Sequence, residues 1–251
     1  MTKQGAWTLY EGNSLPVLTS MGSNTIDAVI TDPPYNSGGM CPAGSMGQSA
    51  RQKYVSGDAE HKLPDFDGEA RDQRGYLAWM TMLLGESYRV TRRGGPLLVF
   101  TDWRMLPITS DALQAAGWAW RGVAVWNKPI ARPVRGGFRK SCEYILWGTK
   151  GPIDSGANPV YLPGTFTASQ PRGKKRKHIT QKPVELMREL VRVCRPEGTV
   201  LDPFTGSGST GVAALLEGRR FVGVEMSSTY AKVARERLAE AEASCSDSVG
   251  V

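Results

Sequence analysis

Residues 200–211, Val200-Leu201-Asp202-Pro203-Phe204-Thr205-Gly206-Ser207-Gly208-Ser209-Thr210-Gly211, constrain the fold more than any other part of the chain. A short apolar run ends in an acid and passes through closely spaced glycines into a stretch with helical apolar spacing. That pattern reads as strand, tight turn and helix. Glycine permits the sharp turn and lets a ligand come close to the backbone. A second strand over 221–224 ends at Glu225, 23 residues after Asp202, where a carboxylate can accept from both hydroxyls of a ribose.

The rest of the chain repeats this alternation. Residues 7–10 are β-prone, and 26–31 are β-branched and stopped by Pro33-Pro34, which predicts a buried parallel strand. Tyr76, Leu77, Met80, Leu83, Leu84 and Tyr88 have helical spacing, and 97–100 reads as the next strand. A helix over about 104–116, strands at 120–126 and 143–147, a helix over 183–194 opened by Pro183, and helices over 209–217 and about 227–242 complete the order. The expected fold is α/β: one doubly wound, mostly parallel, Rossmann-like sheet in a single domain over 1–251. Residues 36–68, rich in Gly, Ser, Pro and charge, read as a flexible loop, and 243–251 as a disordered tail. Trp118, Trp120 and Trp126 read as core.

The glycine loop leaves three readings open. Gly206-x-Gly208-x-x-Gly211 fits a dinucleotide fingerprint, so a nicotinamide-linked enzyme has to be weighed, and so does a plain strand–helix turn. Asp202 stands where a pyrophosphate would want no negative neighbour. An acid there suits the sulfonium and amino group of S-adenosylmethionine better, and that cofactor is the favoured reading.

Asp32-Pro33-Pro34-Tyr35 follows the predicted buried strand directly. From average composition this tetrapeptide should occur by chance in about one chain in a thousand of this length. As bare sequence it is a rigid turn. As chemistry it suits an exocyclic amino nitrogen, whose lone pair is delocalised into the ring and must be drawn out of conjugation. Asp32 can accept one N–H, the Pro33 carbonyl can accept the other on a backbone fixed by proline, and Tyr35 offers a face for a flipped base.

Net charge is +7, but between Lys128 and Val184 stand 12 lysines and arginines against two acids, a net of +10 that leaves −3 elsewhere. A concentrated basic stretch is the footprint of phosphate binding, with a solvated basic loop as the alternative. Cys41, Cys142, Cys194 and Cys245 are scattered and the histidines are only His61 and His178, so no metal site is expected and the thiols read as reduced. No apolar run reaches the length of a membrane span, and Met1-Thr2-Lys3-Gln4 lacks the design of a signal peptide. A cytoplasmic location is expected.

With these residues in hand, the chain resembles the S-adenosylmethionine-dependent amino-methyltransferases of DNA, in the permuted group whose catalytic loop precedes the cofactor loop. The likeness spans roughly residues 7–238 and rests on residues 31–35, 97–102, Trp126-Asn127-Lys128-Pro129, 143–147, the run 180–186, 201–210 and Gly223-Val224-Glu225. Around Asp65-Phe66 and Arg71-Asp72-Gln73-Arg74 it is similar to stand-alone enzymes of phages and prophages.

The resemblance implies that the strands bearing Asp32 and Asp202 lie side by side. It assigns Asp32, Pro33, Pro34 and Tyr35 to catalysis, and Asn13, Asp32, Thr180, Lys182, Asp202, Phe204, Gly206, Ser207, Gly208 and Glu225 to the cofactor. Asn13 stands where the family has Asp, which weakens that transfer. Residues 148–178 correspond to the target-recognition region, and Arg135, Arg139, Lys140, Arg172, Lys174, Lys175, Arg176 and Lys177 are expected on DNA phosphates. Phe138, among these bases, is a candidate for base stacking. Double-stranded DNA and a second copy of the chain are the implied partners, with no membrane. Asp at the first catalytic position favours adenine N6, and Ser there would favour cytosine N4. RNA or protein glutamine methylation by a related Asn-Pro-Pro-Tyr loop, and a DNA-binding regulator without turnover, are the competing readings.

Overall fold

The computed structural model describes residues 1–3, 5–35, 72–131, 133–170 and 181–247. Strands β1 (Thr2–Lys3) and β2 (Trp7–Glu11) lead into helix α1 (Ser14–Ser20), β3 (Ala28–Thr31), α2 (Gln73–Val90), β4 (Pro96–Thr101) and α3 (Leu106–Ala115). Strands β5 (Ala119–Asn127) and β6 (Cys142–Thr149) form a hairpin, followed by β7 (Thr165–Thr167) and α4 (Val184–Val191). Then come β8 (Thr199–Asp202), α5 (Ser209–Leu216), β9 (Arg220–Glu225) and α6 (Ser228–Asp247).

These strands form a sheet in the order β1-β2-β9-β8-β3-β4-β6-β5-β7. The consecutive pairs from β2 to β4 are parallel, whereas β6 runs antiparallel to β4 and β5. Period-2 alternation along the central strands builds a core on each face. Ala28 and Ile30 of β3, Leu98 and Phe100 of β4, and Val200 of β8 face one core with α4, α5 and α6. Val29, Leu97, Val99 and Leu201 face the other, with α1, α2 and α3. Burial on both faces is why these strands read as continuous apolar runs.

The order of the chain across the sheet reverses between β8 and β3. From β8 the chain goes by way of α5 to β9 on one side, and β4 continues from β3 on the other. In open α/β sheets the crevice beyond the strand ends at such a switch point is the ligand site. Asp32 and Asp202 both stand there.

Several expectations need correcting. Residues 148–178, expected as the target-recognition region, hold strand that the sequence reading did not list: Gly148 and Thr149 belong to β6, and Thr165–Thr167 adds β7 beside β5, in register Trp126↔Phe166. A three-residue edge strand is too short to show periodicity. Helix α6 continues to Asp247, past its expected end at 242, so residues 243–247 are helical. Trp118 and Trp126 are buried as expected, but Trp120 is exposed and its indole N–H only reaches the Gly122 carbonyl at 3.0 Å. The loop at 36–68 and the tail beyond Asp247 lie outside the described residues. No helix among the described residues is long and apolar enough to cross a membrane.

Candidate active site at the β3–β8 junction

The glycine loop is built around Asp202. One carboxylate oxygen accepts from the Thr31 hydroxyl at 2.9 Å and the Phe204 amide at 3.0 Å; the other accepts from the Thr210 hydroxyl at 2.6 Å. Asp202 therefore clasps β3, its own loop and the first turn of α5. Burial pushes its carboxyl up to about 6 against these hydrogen bonds. Gly206 and Gly208 adopt φ of 52° and 84°, the left-handed region that side chains avoid. A Cβ on Gly208 would also lie 3.3 Å from Ala234 of α6, so the loop presses against that helix.

Glu225, at the end of β9, accepts from the amides of Gly206 and Ser227, each at 2.8 Å. Burial raises its carboxyl to about 7. Arg237 of α6 is a further support that the sequence did not disclose: its guanidinium donates to the Ser207 carbonyl and, at 3.1 Å, to the Ser207 hydroxyl. Asn13 accepts from the Leu15 amide at 3.0 Å as the N-cap of α1, so its side chain is already engaged in a structural bond. Phe204 packs against Trp79 of α2 with ring centroids 5.6 Å apart.

The second half of the site hangs from β3. All four residues of β3 are buried, and the two prolines that follow have no N–H with which to extend the ladder. Asp32 therefore stands free of the sheet at its carboxyl edge. Its Oδ2 accepts from Lys182 Nζ at 2.5 Å and its Oδ1 from the Tyr35 hydroxyl at 2.6 Å. Lys182 lies just before α4 and is only 7% exposed, walled by the rings of Phe100, Tyr35 and Trp126 with centroids 4.9, 5.4 and 5.8 Å away.

Glu143, the second residue of β6, completes the cluster. It accepts from Lys128 at 2.8 Å and the Tyr35 hydroxyl at 3.0 Å, and pairs with Lys182 at 3.2 Å. Burial pushes its carboxyl up, but Lys182 and Lys128 outweigh that and hold it at about 2. Burial raises Asp32, with Lys182 pulling the other way. Burial would lower Lys182, but Asp32 and Glu143 keep it charged. The roles of Glu143 and Lys128 were not legible in sequence. The resemblance marked their strands, but the antiparallel β5–β6 pairing that brings both to this edge is a tertiary fact.

A cleft lined by Asp32, Lys182, Asp202, Phe204, Gly206 and Ser207, among others, runs between the two halves. Its donor set tests the cofactor reading. Asp202 meets the start of α5 through the Thr210 hydroxyl, which puts a carboxylate beside the helix start where a pyrophosphate would want no negative neighbour. Carboxylates around the cleft and a close-approach glycine turn fit an adenosyl group bearing a cationic sulfonium.

Of the residues expected on DNA, Arg135, Arg139 and Lys140 lie exposed on the loop between β5 and β6, with Phe138 97% exposed among them. That loop leaves the sheet at the same edge as Asp32, because β5 ends there and β6 begins there, with Glu143 as its second residue. Arg172, Lys174, Lys175, Arg176, Lys177 and the cofactor candidate Thr180 lie outside the described residues.

The fold and the paired strand ends define a class, and comparison with known proteins agrees. The DNA methylase family of N6 and N4 methyltransferases matches residues 26–236, and the chain belongs to it. The type II methyltransferase M.Cfr9I of Citrobacter freundii is 30% identical over 270 residues, covering 92% of this chain and 87% of its own. Two solved structures share the fold. The M1.HpyAVI–SAM complex has a TM-score of 0.65 at 21% identity, covering 92% of this chain and 98% of that one. The PvuII DNA methyltransferase, cytosine-N4-specific, has a TM-score of 0.68 at 16% identity, covering 97% and 94%.

Proposed function

We propose that this protein transfers a methyl group from S-adenosylmethionine to an exocyclic amino nitrogen of duplex DNA, with adenine N6 as its target. The observation that carries the reading is the juxtaposition of Asp32 and Asp202 at the ends of adjacent parallel strands, tied through the Thr31–Asp202 hydrogen bond. The cofactor supplies an electrophilic methyl on a sulfonium. The Gly206–Gly208 turn, Phe204 and Glu225 bind and orient it, and Asp202 braces the turn from behind. Asp32 and the Pro33 carbonyl hold the two N–H bonds of the target in tetrahedral directions, which localises the nitrogen lone pair. Transfer would form the C–N bond as the C–S bond breaks with its electron pair going to sulfur, and the proton shed by the nitrogen would pass to the Asp32 carboxylate that holds that N–H and from there to solvent. Protein groups contribute positioning and electrostatics.

On this reading the base is flipped from the duplex to reach Asp32, and Tyr35 and Phe138 are its stacking surfaces. Arg135, Arg139 and Lys140 contact phosphates, joined by Arg172, Lys174, Lys175, Arg176 and Lys177. The order of the loops supports the permuted group, and the likeness to stand-alone phage enzymes supports an enzyme of that kind working in the cytoplasm, singly or as a homodimer. Asp at the first catalytic position supports adenine. The N4-specific relative of the same fold supports cytosine N4 as the second reading. Digestion of unmethylated genomic DNA after incubation with labelled S-adenosylmethionine separates them. Label in N6-methyladenine is expected, label confined to N4-methylcytosine moves the assignment, and unlabelled DNA ends the enzyme reading.

A further inference from the structure

Glu143 has no part in that reaction, yet it is buried, ionised and aimed into the site. A buried carboxylate is costly to keep, and apolar replacements of buried ion pairs are often no less stable. Its geometry gives it a use. Asp32 has to accept an N–H from the target amine, and each of its oxygens already holds one donor, Oδ2 Lys182 and Oδ1 the Tyr35 hydroxyl, so the amine competes with these donors for the remaining lone pairs. Both of these donors have the same second acceptor. Glu143 Oε2 lies 3.2 Å from Lys182 Nζ and 3.0 Å from the Tyr35 hydroxyl. Its other oxygen is pinned by Lys128 at 2.8 Å, which fixes the direction in which Oε2 points.

We propose that Glu143 is a positioning residue that takes over Lys182 and the Tyr35 hydroxyl as the target amine engages Asp32, an inference that rests on the amino-methyltransferase reading above. The exchange needs only a small shift. Lys182 closes a few tenths of an ångström toward Glu143 inside its cage of Phe100, Tyr35 and Trp126, and stays charged and paired throughout. Tyr35 pivots its hydroxyl between two carboxylates without moving its ring. Without Glu143, Lys182 has one carboxylate left, and it holds Asp32 more tightly against the incoming amine.

The test uses the purified full-length protein, tritiated S-adenosylmethionine at saturation and unmethylated duplex genomic DNA. Glu143→Gln is expected to lower the single-turnover rate by about tenfold or more, in line with the cost of small misplacements in an active site. Cofactor affinity by calorimetry should stay within about threefold, a change far smaller than loss of a direct contact. The distinguishing readout is Lys182→Met, which should slow the wild-type enzyme but accelerate the Glu143→Gln enzyme, because it removes the group left masking Asp32. A merely structural Glu143 would not reverse the sign. Glu143→Asp keeps the charge but withdraws it by one methylene, and its rate should fall between the two. A Glu143→Gln rate near wild type, a double variant no faster than Glu143→Gln, or, if Glu143→Gln fails to fold, a Glu143→Asp rate equal to wild type, each overturns the proposal. Failure of the wild type to label DNA would instead overturn the parent reading.

Discussion

The Thr31 hydroxyl donates to the Asp202 carboxylate across 2.9 Å, joining the last residue of β3 to the last residue of β8. The bond is buried, so its loss leaves Asp202 short of a partner where water cannot replace it. Thr31→Val is expected to cost about 1–3 kcal/mol and to lower the melting temperature by about 2–4 °C per kcal/mol, as for domains of this size. It should weaken cofactor binding as well, because the same carboxylate braces the Phe204 amide. Melting curves and calorimetry on the one variant test both effects.

Asp32→Ala should abolish methyl transfer while cofactor binding survives. The loss in rate should be at least about 100-fold, the scale seen when one preorganised polar contact to the reacting group is removed. Retained activity would remove Asp32 from its assigned role. Loss of cofactor binding would make its carboxylate part of the cofactor site instead.

Two acids that hold the glycine loop predict a pH dependence. Glu225 sits near 7 and Asp202 near 6, both raised by burial. A carboxyl raised in the folded state contributes stability that is fully present below its unfolded value, near 4.5 for Glu225, and is lost as pH rises toward 7. Ligand binding runs the opposite way. An ionised Glu225 is the better acceptor for ribose hydroxyls, so cofactor affinity should climb between about pH 6 and 8, the window centred on that group. Glu225→Gln should flatten the climb, as titration calorimetry at several pH values would reveal. A wild-type affinity independent of pH would remove Glu225 from the ribose.

The β5–β6 loop should behave as a DNA contact. Phe138→Ala is expected to weaken DNA binding by about 1–3 kcal/mol if a base stacks there, with cofactor affinity unchanged. Arg139→Ala should lessen the slope of log affinity against log salt by about 0.9, the effect of one lost phosphate contact. Binding curves at several salt concentrations report on both. A Phe138→Ala protein with wild-type DNA affinity and rate would make that exposed ring incidental.

Gly211 offers a test of the scaffold alone. A Cβ there would lie 2.6 Å from the Phe221 ring and from Leu238. Gly211→Ala should cost about 1–3 kcal/mol through overpacking, seen as a lower melting temperature.

The parts of the fold legible in sequence are those whose cause is local. Strands β3, β4 and β8 are buried on both faces and announce themselves as apolar runs, and the Pro33-Pro34 stop and Gly206–Gly208 turn mark where two of them end. Helix α2 is visible through Tyr76, Met80, Leu83 and Leu84, which face one core. What stayed hidden depends on tertiary placement. Trp120 sits on a strand whose face there is left to solvent, and β7 exists only because it finds β5. Asp202 reads in sequence as a group for the cofactor's cationic end, and its bonds to Thr31, Phe204 and Thr210, which brace the loop, depend on tertiary placement. The Glu143 cluster draws on residues 32, 35, 128, 143 and 182, which no local pattern connects.

The parallel pairing of β3 with β8 also sets an order of assembly. Residues 28–31 and 199–202 are far apart along the chain, as the 171-residue separation of Thr31 and Asp202 measures. Synthesis proceeds from the N-terminus, so Asp32 emerges well before its partner strand exists, and one edge of β3 waits with its backbone groups unpaired. Long-range parallel pairing of this kind is slow to form. The loop of residues 32–35 is therefore without its partner strand on a growing chain. The Asp32–Asp202 juxtaposition arises only when the later half docks, and a chain cut short before β8 would carry an intact Asp32-Pro33-Pro34-Tyr35 with no Asp202 and no glycine turn beside it.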